Sequence, residues 1–302
     1  MGNIEQQDFS LEKAEGVQLF ARRKGPADAK AARGNIVLVH GSSQASLPCF
    51  DLIVGGGMQY SLMESLAAQG WNAWTFDCEG YGKSSKHRDR LFDIADGADD
   101  LAVVMKFINE MTGDTNIHVY GGSAGALRAA VYVARDPALV GRLAMDAVVW
   151  TGEGSPTLEQ RRKRLPELTT SLRRPIDRAS LVSIFNRDHP GSADEVVVEA
   201  FADAVLELDT SIPNGTYIDM CTKLPVMDPA TIAVPVMIMR GEWDGIASED
   251  DVLAFFTRLP NPDKQLIILP GVAHAALNGK NYALATHTLL CYFSRPDPVY
   301  LG

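Results

Sequence analysis

Ile117-His118-Val119-Tyr120-Gly121-Gly122-Ser123-Ala124-Gly125 carries a β-rich run into G-x-S-x-G and on into a helix, marked by Leu127, Ala130, Val131 and Ala134 at helical spacing. A strand that turns this sharply holds its serine in a strained backbone conformation with Oγ exposed. Only residues as small as Gly121, Ala124 and Gly125 let such a turn close. The N-terminal amides and positive dipole end of the helix point at the same place, where they favour a developing oxyanion. Ser123 is therefore the candidate nucleophile.

On both sides of this stretch, short β-rich runs at 36–40, 71–77, 144–150, 234–240 and 265–269 alternate with amphipathic stretches around 58–69, 93–112, 123–135, 246–258 and 279–293. That alternation predicts an α/β fold, a mostly parallel sheet with helices on both faces. An antiparallel hairpin element from 17–23 is expected at its edge, joined to the next strand through the polar loop 24–35. Between 153 and 230 the rhythm stops and the chain turns helical, proline-punctuated and locally basic. This reads as a cap inserted into a core made of 1–152 and 231–302.

Composition narrows the partners. The 302 residues hold 28 Lys+Arg against 38 Asp+Glu, a formal net charge of −10, which repels a phosphate backbone and argues against nucleic acid. The longest apolar runs fall far short of the roughly 20 residues of a membrane-spanning helix. Residues 1–8 lack the basic and apolar regions of an export signal, and Gln6 stands where a myristoylation signal needs Ser or Thr. Cys49, Cys78, Cys221 and Cys291 are scattered, without C-x-x-C, so neither a disulfide framework nor a thiolate metal site is expected. A cytoplasmic protein without membrane attachment is the expectation.

A serine nucleophile needs a base and an acid that orients it. Among six histidines, His118 falls mid-strand and reads as a satisfied core residue, His287 lies on the last helix, and His87 and His189 sit in polar loop or cap sequence. His40, in Val39-His40-Gly41-Ser42-Ser43, reads as an organiser of its loop. His274, just after the last strand, is the candidate base. The candidate acid is Asp244 in Arg240-Gly241-Glu242-Trp243-Asp244-Gly245, with Glu242 and Glu153 as competitors. The N–H groups of Ser42 and Ala124 are the candidate oxyanion donors. No metal-ligand spacing such as H-E-x-x-H occurs, and the G-x-G of Asp77-Cys78-Glu79-Gly80-Tyr81-Gly82-Lys83-Ser84 opens no helix, so neither metal nor dinucleotide is called for.

Within the cap, Arg161, Arg162, Lys163, Arg164, Arg173, Arg174 and Arg178 cluster in an otherwise acidic chain. Such a run is commonly a solvated helix face. Guanidinium groups facing a pocket would instead attract an anionic substrate. Ser43, Arg161, Arg164 and Phe185 are the candidate substrate contacts, while Leu168, Leu172, Ile184, Phe201, Val205 and Tyr217 read mainly as cap packing.

Taken together, the His40-Gly41 loop, the D-x-x-G-x-G-x-S turn at 77–84, the elbow at 121–125, the acid loop at 241–244 and the base loop at 272–274 resemble the α/β-hydrolase family over roughly 1–152 and 231–302. The resemblance implies an eight-stranded, mostly parallel sheet, a cap after the sixth strand, and a cofactor-free serine hydrolase of a small ester or lactone. The longer loop 43–58 is a departure and would form part of the pocket rim. A partly aromatic, carboxylate-bearing ester is the expected substrate; monoalkyl phthalate ester hydrolases belong to this family. The same three residues also serve carbon–carbon bond hydrolysis of diketones and amide hydrolysis, and the fold serves as a small-molecule receptor.

Overall fold

The computed structural model describes residues 4–86 and 88–300, so His87 and the first three residues lie outside the described residues. The strands are β1 (Ile4–Ala14), β2 (Val17–Pro26), β3 (Asn35–Val39), β4 (Asn72–Phe76), β5 (Ile117–Gly122), β6 (Val140–Asp146), β7 (Arg173–Pro175), β8 (Ser211–Pro213), β9 (Val236–Gly241) and β10 (Lys264–Leu269). The helices are α1 (Ser46–Phe50), α2 (Leu62–Ala68), α3 (Ile94–Thr112), α4 (Ala124–Arg135), α5 (Pro156–Lys163), α6 (Leu165–Leu168), α7 (Arg178–Asn186), α8 (Glu195–Leu208), α9 (Gly215–Thr222), α10 (Glu249–Arg258) and α11 (Tyr282–Ser294).

Eight strands form one sheet in the order β1-β2-β4-β3-β5-β6-β9-β10. It is parallel from β4 to β10, and β2 pairs antiparallel with both β1 and β4. This is the α/β-hydrolase fold. The central strands β3, β4 and β9 are buried along their whole length, as expected of strands covered on both faces. One apolar layer packs α3, α4 and α10 on the sheet, with Leu101, Leu127 and Phe255 in it; the other packs α2 and α11, with Leu66, Leu289 and Phe293. No helix among the described residues is long and apolar enough to cross a membrane.

Two expectations need correction. The strand expected at 144–150 runs over Val140–Asp146: Ala147 takes φ +54 and turns the chain out of the sheet. Val148 and Val149 remain buried, so they carry a strand's hydrophobic signal without its conformation. The edge hairpin is longer than the 17–23 expectation: β2 runs on to Pro26 into the expected loop, and β1, which carries no apolar run to mark it, pairs with it. Its alternation of polar residues suits an edge strand exposed on one face, and Arg22 holds it through Asp8 at 2.7 Å.

The segment between β6 and β9 carries α5 to α9 and a small antiparallel pair, β7 with β8. Leu181, Phe185, Val198, Phe201 and Val205 form its own apolar cluster, closed from the core side by Leu52, Val54 and Tyr60.

Candidate active site

In a parallel sheet the strand C-termini face one edge, and loops leaving that edge build sites. Here they carry His40 after β3, Asp77 after β4, Ser123 after β5, Asp244 after β9 and His274 beyond β10. Ser123 has φ +55, ψ −122, outside the regions a serine ordinarily occupies. Its N–H donates to the Asp146 carbonyl at 2.8 Å, which anchors the strained turn. The glycines around it are forced. A Cβ at Gly125 would overlap the Val39 carbonyl oxygen and come 2.8 Å from that of His40, and one at Gly121 would overlap the Gly125 carbonyl.

His274 Nε2 lies 3.0 Å from Ser123 Oγ, and His274 Nδ1 lies 3.0 Å from Asp244 Oδ2. Asp244 Oδ1 accepts the N–H groups of Ile246 at 2.7 Å and Ala247 at 3.1 Å. Burial opposes ionisation of this carboxyl, but His274 and the two N–H groups outweigh it and hold Asp244 below the ordinary carboxylate range. An ionised Asp244 only accepts, so Nδ1 carries the proton and Nε2 is free to take one from Ser123. The competitors lie elsewhere: Glu242 accepts the Gly271 N–H at 2.8 Å, and Glu153 is exposed.

Two buried arginines organise the loops, a role that residue type and spacing alone do not reveal. Arg240 donates to the carbonyls of Gly241, Glu242, Asp244 and Ala247 at 2.6–3.2 Å, wrapping the acid loop around one guanidinium. Arg128 donates to the His40 carbonyl at 2.9 Å and the Gly41 carbonyl at 3.3 Å. His40 Nε2 accepts the Cys78 N–H at 3.0 Å, so its Nδ1 donates to the Gly41 carbonyl at 2.7 Å. Burial above all, with Arg128 beside it, lowers this histidine to about 3, so it stays neutral. His118 is in the core as expected, stacked on Phe293, but its Nδ1 has no hydrogen-bond partner among the described residues. The N–H groups of Ser42 and Ala124 donate to no described acceptor.

Two chambers lie on this side of the molecule, and the smaller one reaches Ser123. A cavity of about 70 Å³ beside Ser123 and His274 is lined by Phe50, Ile184, Phe185, Phe201 and Leu277, with Asp146, Gln44 and Asn278 as polar members. Gln44, Cys49 and Phe50 bring part of the 43–58 loop to it. A second chamber of about 560 Å³ is lined by Ser43, Arg161, Arg164, Arg174, Arg187 and Tyr217, with Ile184 common to both.

In the second chamber the Arg161 and Arg174 guanidinium carbons lie 4.0 and 3.5 Å from the centre of the Tyr217 ring. Tyr217 Oη is 3.0 Å from Ser43 Oγ. Burial opposes its ionisation, but Arg161, Arg174 and the Ser43 bond bring the phenol down to about 6. Arg174 also donates to the Ser42 carbonyl at 3.0 Å, whereas Arg164 is exposed and paired with Glu167 at 2.9 Å. Asp188 from the inserted segment offers a carboxylate oxygen within 4.8 Å of one from Asp244 and of a His274 ring nitrogen. That trio has the composition of a metal-ligand set, but the Nδ1 proton already bridges two of its members.

The model of the serine aminopeptidase S33 family (Hydrolase_4) matches residues 30–281 of the chain. A Pseudomonas putida 2-hydroxy-6-oxononadienedioate/2-hydroxy-6-oxononatrienedioate hydrolase is 25% identical over 239 residues, 75% of this chain and 77% of that protein. Among solved structures, an esterase from Exiguobacterium antarcticum is similar with a TM-score of 0.71 at 18% identity, covering 98% of this chain and 100% of its own. The 2-hydroxy-6-oxo-6-phenylhexa-2,4-dienoate hydrolase of Rhodococcus sp. strain RHA1 is similar with a TM-score of 0.67 at 16% identity, covering 97% and 100%.

Proposed function

From the premise that the chain belongs to the serine aminopeptidase S33 family, and is a hydrolase of the α/β-hydrolase superfamily, we propose that it cleaves a carboxylic ester or lactone through an acyl-enzyme on Ser123. The observation that carries this reading is the relay of 3.0 Å contacts from Ser123 Oγ through His274 to Asp244. His274 Nε2 takes the Ser123 proton as Oγ attacks the carbonyl carbon. The Ser42 and Ala124 N–H groups hold the oxyanion, each typically worth ~10²–10³ in rate. His274 then protonates the leaving alcohol, and water repeats the cycle on the acyl-enzyme.

In this reading the core is 1–152 with 231–302, and 153–230 is a cap that sets specificity. Arg161 has no carboxylate partner among the described ion pairs, and Arg174 faces Tyr217 rather than an acid. Those two guanidinium groups favour a substrate that bears a carboxylate, whereas Arg164 at the rim is paired with Glu167; Phe185 and its neighbours take an apolar or aromatic part. A monoalkyl phthalate is one such ester. A second reading is carbon–carbon bond hydrolysis by the same three residues, favoured by likeness to a Pseudomonas hydrolase whose named substrates are dioates.

The test is initial-rate hydrolysis of a carboxylate-bearing monoester, its neutral diester, a lactone and a diketone by wild type and Ser123→Ala. Ester or lactone turnover by wild type alone supports the proposal. Turnover of the diketone alone transfers the function to carbon–carbon cleavage, and ligand binding without any turnover points to a receptor.

A further inference from the structure

The loop between α7 and α8 brings Arg187, Asp188 and His189 onto the acid loop. The His189 ring stacks on Trp243 at 3.5 Å between centroids and 20° between planes. Asp188 packs against Gly245, where a Cβ would overlap Asp188 Oδ1 and come 2.9 Å from its Cγ. The Asp188 side chain is only 4% exposed, and its nearest cation is Arg187, whose Nε is 3.5 Å from Oδ1. Its Oδ2 is buried and has no hydrogen-bond partner among the described residues. A carboxylate that is desolvated and only half satisfied is costly. Its position beside His274 and Asp244 gives that charge a use.

We propose that Asp188 is a positioning residue of the active site: docked from the inserted segment, its carboxylate provides His274 with a second negative charge besides Asp244. The inference rests on the Ser123–His274–Asp244 reading, and it makes the site electrostatically complete only while the 187–189 loop sits on the 243–245 turn. When His274 holds the proton taken from Ser123 it is a cation, and two carboxylates then stabilise it. The other groups that face this imidazole are the Ser123 hydroxyl from the elbow and the Asp146 carboxyl from the end of β6. Arg187 offsets part of the Asp188 charge. Gly245 is the sequence feature that admits the carboxylate.

The experiment compares the pH dependence of kcat/KM for wild type, Asp188→Asn and Gly245→Ala. A carboxylate favours protonated imidazole, so losing it moves the acid limb to lower pH, by about 0.5–1.5 pH units for charges at this separation in a partly screened site. The plateau falls by about 10-fold because the imidazolium of the transition state loses a counter-charge. A purely structural role for Asp188 lowers the plateau and leaves the limb where it is. Gly245→Ala, which displaces the carboxylate without removing it, shifts the limb in the same direction, and the double variant shifts it no further.

NMR titration of the His274 ring in a Ser123→Ala background reads the same proton without turnover. Failure of the ester reading therefore leaves this test standing. A His274 titration unchanged by both Asp188→Asn and Gly245→Ala overturns the proposal; a downward shift in both supports it.

Discussion

Asp146→Asn tests how the low-dielectric edge of the sheet treats charge. Asp146 is 5% exposed, lines the small chamber beside Ser123 and accepts the Tyr120 hydroxyl at 3.3 Å. Burial first, and then the charge on Asp244, raise it from the ordinary 3.8 to about 7; His274, Tyr120 and the Ala147 N–H oppose that rise without cancelling it. A raised carboxyl binds its proton more tightly folded than unfolded. Its stabilising contribution is therefore full below pH 3.8 and is lost as pH rises through about 7. That span of roughly three pH units at about 1.4 kcal/mol each sets a ceiling of about 4 kcal/mol. Asparagine preserves the volume and an acceptor for Tyr120 but cannot ionise. Urea unfolding at pH 4 should place the variant within about 1 kcal/mol of wild type, and at pH 8 should find it more stable by about 3–4 kcal/mol. An equal difference between the two proteins at pH 4 and pH 8 would show that Asp146 does not hold its proton more tightly in the folded state.

Further outcomes follow from the same geometry. Gly125→Ala forces the end of β3 and the His40-Gly41 loop to move, so kcat should fall at least about 10²-fold, the worth of one displaced oxyanion donor, with a lowered urea midpoint. Asp244→Asn removes the acceptor that fixes the His274 tautomer and should cost about 10⁴ in kcat, read by steady-state kinetics at pH 7. Arg161→Gln should reduce the monoester-to-diester ratio of kcat/KM by about 10-fold, the worth of one charge-assisted hydrogen bond. In wild type that ratio should rise as pH falls below 6, where Tyr217 regains its proton and stops competing for the guanidinium charge. Tyr217→Phe should abolish this dependence.

The features legible in the sequence were those with a local physical signal. The elbow showed because a strand, a strained serine and a helix must follow one another within nine residues, and Gly121 and Gly125 are dictated by backbone approach. Buried strands β3, β4, β5 and β9 are legible as short β-rich runs, and edge strand β10 through its Leu266–Leu269 stretch. By contrast, β1 is polar on its exposed face and gains its conformation from pairing with β2. The end of β6 is not legible, because burial of Val148 and Val149 outlasts the strand. At the site, order along a parallel sheet points to Ser123, Asp244 and His274 as candidates, and the structure brings the three into contact. The roles of Arg128, Arg240, Asp146 and Asp188 depend on which carbonyls or charges come within a few ångströms after folding, and no spacing announces them. Tyr217 read as cap packing for the same reason. Arg164, chosen for its neighbours in sequence, spends its charge on Glu167.

The acyl-enzyme is tested most directly by intact-mass and peptide mass spectrometry of wild type and Ser123→Ala, each acid-quenched during the first turnovers of p-nitrophenyl acetate. The acyl-enzyme mechanism predicts one acetyl group on the peptide that carries Ser123, and none at that position in Ser123→Ala. Turnover with no acyl adduct, or with the adduct on another residue such as Cys49, would contradict it.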